Sequence, residues 1–267
     1  MSLAYKRDGS LWVPNREIVP VRRMLPVRRL PHRSIFPKAA ISFVQCQQGT
    51  TSSSETTNPV SISTSAGNFL VVFTRASGTG ANWTITDNTG SNTWTAMPGG
   101  MATGPGGTAP SAIMHYSPTV AGVTTVTANF SPVPVSSSVF VLEFSGMATT
   151  GVLDTSQDNG TSATTSATSA AITTANANDL LVYGIGFNSS ISGLTADVAN
   201  GWAIPTNGST VSAGIQYLIV SSIQTGITTT MTWTTTRDSA AYIAAFEAGA
   251  AGDDIITIQN QFRIAIG

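Results

Sequence analysis

The feature that most constrains how this chain can fold is an internal duplication of strand-like segments. Residues 62–73 (ISTSAGNFLVVF) match residues 172–183 (ITTANANDLLVY) without a gap, at an offset of 110. Trp94 then pairs with Trp202, Ile113-Met114-His115-Tyr116 with Gly214-Ile215-Gln216-Tyr217, and Gly122-Val123-Thr124-Thr125 with Gly226-Ile227-Thr228-Thr229. The closing segments VFVLEFSG (139–146) and AYIAAFEAG (241–249) pair as well. The offset drifts from 110 to about 101 and back to 104, as loops of unequal length would produce. A repeat of 80–90 residues means that one structural solution is used twice.

That solution is β. No stretch sustains apolar residues at helical spacing, whereas short period-two runs recur between Gly, Asn, Asp and Pro. Candidate strands in the first copy occupy 41–46, 60–64, 69–75, 82–86, 93–97, 112–116, 124–130 and 139–144. The second copy offers 171–174, 180–187, 194–198, 202–204, 213–220, 227–234 and 240–247. Asp87–Asn92 has hairpin chemistry, and the Ser/Thr-rich stretch 151–170 reads as a linker or a crossover loop. The expected fold is all-β: a two-sheet antiparallel jelly-roll sandwich in which the halves share one core. Two tandem immunoglobulin-like sandwiches are the alternative.

Three regions follow: an extended arm at 1–40, a sandwich body at 41–250 with half-repeats at about 59–149 and 168–249, and a connector strand at 251–267. Charge separates them. Only 9% of residues are charged and the net charge is −1, yet residues 1–40 carry +7 and the other 227 residues carry −8. Prolines at 14, 20, 26, 31 and 37 forbid a helix in the arm and favour an extended ribbon. A short duplication, PVRRML followed by PVRRLP, sets Arg22, Arg23, Arg28 and Arg29 among Leu25 and Leu30, with Trp12 and Arg33 on either side. Such a ribbon is too apolar for a solvated tail, so these residues are candidates for partner binding. Folding back on its own body and contacting nucleic acid through the Arg pairs are the other readings. At the other end Ile256, Ile258, Phe262, Ile264 and Ile266 alternate with polar residues, and a lone amphipathic strand needs a sheet edge to complete.

Chemical motifs are sparse. Two histidines (His32, His115) and one cysteine (Cys46) supply no disulfide framework, zinc cluster or Cys–His couple. Glu143 and Glu247 fall at matching places in the two copies and would suit a carboxylate pair, or else are strand-face charges. Asp154–Gly160 alternates oxygen ligands but lacks a bidentate Glu at calcium-loop spacing, so it reads as a turn. Trp83, Trp94, Trp202 and Trp233 lie in or beside strands and read as core or sheet-face residues, with a sugar-stacking platform as the alternative. No apolar run approaches a transmembrane helix, and the N-terminal residues lack the apolar segment of a secretory signal. The expectation is a non-enzyme with no cofactor or metal.

A low-charge Ser/Thr/Gly-rich β body, a proline-punctuated basic arm and a terminal exchangeable strand together resemble virion structural proteins of tailed bacteriophages. SAGNFLVVF, TITDNTGSNTWTAMP and VFVLEFSG are similar to jelly-roll modules of phage and bacterial surface proteins. The resemblance implies a structural subunit of decoration, cement, head-fibre or tail-fibre and adaptor type, made in the host cytoplasm and residing in the virion. The physical character of the arm, not the resemblance, adds the expectation that such a subunit forms homo-oligomers and binds other virion proteins through its arm. A carbohydrate- or receptor-binding fibre module, and a capsid subunit with a genome-facing arm, are the alternatives.

Overall fold

The structure is a computed structural model that describes residues 39–51, 54–77, 82–105, 110–119 and 121–249. The arm residues Trp12, Arg22, Arg23, Leu25, Arg28, Arg29, Leu30 and Arg33, and the terminal Ile256, Ile258, Phe262 and Ile264, lie outside the described residues. The first copy forms β1 (Ser42–Thr51), β2 (Thr57–Ser61), β3 (Phe69–Ala76), β4 (Asn82–Asp87), β5 (Thr95–Ala96), β6 (Ala102–Thr103), β7 (Ser111–Pro118), β8 (Thr125–Ser131) and β9 (Ser137–Ser145). The second forms β10 (Leu153–Thr168), β11 (Asp179–Phe187), β12 (Ser209–Thr210), β13 (Ala213–Val220) and β14 (Thr230–Glu247). The class is all-β, with antiparallel pairing between the strands.

The sheets are stacked in a way that follows from which strands are apolar on both faces. One inner sheet has the order β1-β9-β3-β7-β5, with β6 also on β7, and the other has β10-β14-β11-β13-β12. In β3, Phe69, Val71 and Phe73 enter a core shared with the second copy, while Leu70 and Val72 enter the first copy's own core. In β11, Leu180 and Val182 enter the shared core, while Leu181, Tyr183 and Ile185 enter the second copy's own. The first copy's outer layer is the sheet β2-β8-β4. In the second copy, the distal halves of β10 and β14 pair with each other, joined by bridges Ile172–Ile227 and Thr195–Thr232. Each copy therefore closes a core of its own, and a third core, the largest, joins them. Strands buried on both faces read as unbroken apolar runs, which is the sequence signature of FLVVF and LLVYGI.

The shared core has the reciprocity of a twofold. Tyr116 meets Phe246 edge-on at 5.5 Å, and their counterparts Tyr217 and Phe144 meet edge-on at 5.5 Å. The pairing also corrects the gapless match. Val71 faces Tyr116 and Val182 faces Tyr217, so the strands correspond at an offset of 111 from β3 onward. The extra residue lies in the turn before β11, where Asn178 (φ 61°) takes the place of Gly67 (φ 85°). A one-residue slip exchanges the faces of a strand, so the offset of 110 would have put every inward residue outward.

Two further expectations change. Residues 151–170 are no linker: β10 is a sixteen-residue edge strand, the counterpart of β1, so the copies are longer than the sequence match. Asp87–Asn92 does not close a hairpin, because β4 pairs with β8 in the outer sheet while β5 pairs with β7 in the inner one.

Candidate functional site: the cleft between the two copies

The body has two distinct poles. At one, the Ala39 N–H donates to Gly249 O at 2.8 Å, so both ends of the body lie side by side. From there β1 leads away, and β3 and β11 run in the same sense, to end at Thr51, Ala76 and Phe187. The far pole is thus about 30 Å distant, at roughly 3.4 Å per strand residue. There the copies part to leave a cleft of about 740 Å³. The first copy contributes Gln48, Thr50, Thr51, Arg75, Ser77 and Val135–Ser137, and the second contributes Asn188–Ser190 and Thr210–Ser212.

Arg75 is the group that matters chemically. It sits at the end of β3, on the face turned toward the second copy, and is only 1% exposed. Its stem lies against Gly186 of β11, where any Cβ would overlap the arginine's Cβ and Cγ. The guanidinium Nε donates to Phe187 O at 2.7 Å, and Nη1 donates to Ser136 Oγ at 2.9 Å. No carboxylate among the described residues forms an ion pair with it. Burial pulls its pKa down to about 10, so it remains a cation at neutral pH. Three of a guanidinium's five N–H donors remain beyond those two bonds. Val135 and Val211, 68% and 66% exposed, give the rim apolar surface.

No family model, curated protein or solved structure matches the chain. The reading of the cleft therefore rests on its own chemistry. A fixed cation with spare donors, ringed by hydroxyl and amide groups, is equipped to hold an anion by charge and a polyhydroxylated body by hydrogen bonds.

The residues singled out from sequence go elsewhere. Glu143 and Glu247 are not counterparts, since register matches Glu143 with Ala245 and Glu247 with Ser145. Nor is Glu143 a solvated strand charge. It is 1% exposed and accepts bonds from Gln45 Nε2 (2.7 Å), Ser65 N (2.9 Å) and Asn68 Nδ2 (2.7 Å), pinning the turn before β3. Asp154–Gly160 is strand rather than turn, with Asp154 Oδ2 accepting from Ala175 N at 2.6 Å. Among the described residues no cluster of His, Cys, Asp and Glu could hold a metal ion. Cys46 is buried, which pushes its thiol up to about 12 and keeps it protonated.

Trp83, Trp202 and Trp233 are buried in the two outer cores, so they offer no indole face to a sugar. Trp94 packs against the first outer core, as its counterpart Trp202 does in the second, and its Nε1 donates to Asp87 Oδ2 at 2.9 Å. Sequence reasoning passed over Arg75 altogether. The sequence carries little signal for it: extending the match at offset 110 sets Ile185 against Arg75, and only the structural offset of 111 brings Gly186 to the matching position.

Proposed function

We propose that the chain is a non-enzymatic structural subunit of a bacteriophage particle, tethered to neighbouring virion proteins through its basic arm. The observation that supports this most is the Ala39–Gly249 contact, which sets the two residues from which the chain continues into 1–38 and 250–267 side by side at one pole of the body. A body anchored there would project its far pole outward, as decoration and fibre proteins do. Charge favours the same reading. Arg75 and Arg237 are the only Lys or Arg among the described residues, and Arg75 is buried, whereas seven carboxylates reach the surface. A predominantly acidic body suits docking by the +7 arm of another copy, with steering by charge and retention by burial of Trp12, Leu25 and Leu30.

The test is removal of residues 1–38. The three cores use body residues, so the truncated protein should keep its β circular dichroism and its cooperative melting. It should fail to incorporate into particles, and alanine at Arg22, Arg23, Arg28 and Arg29 in the full chain should weaken incorporation. Undiminished incorporation of the truncated protein would overturn the proposal. An arm that protects nucleic acid instead of protein would favour the genome-facing alternative.

A further inference from the structure

We infer that the cleft at the far pole is a binding site for an acidic sugar, with Arg75 holding the sugar's carboxylate. An uncompensated cation buried in a fold is costly, and such groups are normally paired. Arg75 is 1% exposed, has no acid partner among the described residues, and spends its two recorded bonds on neutral oxygens. A ligand carboxylate would supply the missing charge and the bidentate geometry that a guanidinium favours.

The walls point to a sugar in preference to a bare oxyanion. Apart from Arg75 and the two valines, all lining residues carry a hydroxyl or an amide, and they come from both copies. That is an array suited to ring hydroxyls. Val135 and Val211 stand exposed at the rim, where the C–H face of a pyranose could rest. The volume lies within the range of small-molecule sites. The site is also built: Gly186 makes room for the arginine stem, and Ser136, whose hydroxyl holds Nη1, is itself held by Ser77 through its backbone N–H (2.9 Å) and its hydroxyl (3.1 Å). This inference does not depend on the arm, since every residue it uses belongs to the body.

The experiment titrates the full chain with D-galacturonate, N-acetylneuraminate, D-galactose, inorganic phosphate and a short peptide bearing a free C-terminus. Binding is read by ligand-observed saturation-transfer NMR and calorimetry. At least one acidic sugar should bind ten-fold or more tightly than D-galactose, and Arg75→Met should abolish that preference. Because Arg75 is buried, its replacement could fail to fold. Val211→Trp, at an exposed rim position, then serves as a blocking variant that leaves melting unchanged and removes sugar binding. Equal affinity for neutral and acidic sugars would overturn the role of Arg75. Phosphate or the peptide binding as tightly as the sugars, or no binding at all, would overturn the assignment of the ligand.

Discussion

The two copies solve one folding problem with different chemistry, and the differences concentrate at matching positions. Where the first copy has Phe73 and Arg75 facing the shared core, the second has Gly184 and Gly186. These residues touch: a Cβ on Gly184 would overlap the Phe73 ring, and one on Gly186 the Arg75 stem. Near a twofold, a residue meets its own counterpart, so two bulky side chains there would collide. A duplicated chain can escape this by making one copy large and the other small, which a symmetric homodimer cannot do. The same asymmetry lets a single arginine occupy the floor of the cleft.

The largest effect should come from restoring symmetry there. Gly184→Phe puts a ring where Phe73 already lies and should cost at least ~3 kcal/mol in urea unfolding, by overpacking a shared core. Adding Phe73→Gly exchanges the roles of the two positions and should recover more than half of that loss, a strong departure from additivity. A double variant no more stable than the worse single variant would break the twofold comparison.

A smaller effect separates Glu143 from its counterpart Ala245. Alanine at 143 would leave the donors of Gln45, Ser65 and Asn68 without their acceptor, although Gln45 keeps a second bond to Ser63 O at 2.6 Å. Glu143→Ala should therefore cost about 2–3 kcal/mol, and Glu143→Gln about half as much, because an amide oxygen can still accept. Differential scanning calorimetry at neutral pH measures both. A loss below about 0.5 kcal/mol for Glu143→Ala would mean that the turn before β3 is held by something else.

These particulars also explain what was legible in advance. The duplication, most strands of the first copy and the pairing of Trp94 with Trp202 could be read directly, because bulky apolar residues recur in order. The one-residue insertion could not, since Leu70-Val71-Val72 and Leu180-Leu181-Val182 are apolar on both faces and carry no record of which way they point. β10 was hidden for the opposite reason: beyond Leu153 its residues are small or polar, so an edge strand shows no contrast between faces. The cleft draws on five separated segments, none of which is distinctive alone. Arg75 resembles any strand-end charge until Gly186 is placed against it.

The smallest expected effect tests whether acid sensitivity resides in the first copy. His115 and Gln216 are counterparts, and both are buried beside the matching tyrosines Tyr116 and Tyr217. Gln216 is satisfied: its Nε2 donates to Thr229 Oγ1 at 2.8 Å and its Oε1 accepts from Asp197 N at 3.1 Å. His115 Nδ1 has no partner among the described residues, and desolvation pulls the imidazole down to about 4, against a weaker opposing backbone bond at Trp83. Since the folded value lies below the ordinary one near 6.5, the unfolded chain takes up the proton first as pH falls. Stability present above that ordinary value is then lost progressively toward the folded one. Between roughly pH 7 and 5.5, above most carboxylate titrations, the loss should be about 1 kcal/mol. His115→Gln copies the second copy's residue and should flatten that slope in urea titrations at each pH, whatever it does to stability at neutral pH. An unchanged slope would place the acid sensitivity outside this pair of positions and remove the electrostatic half of the contrast between the copies.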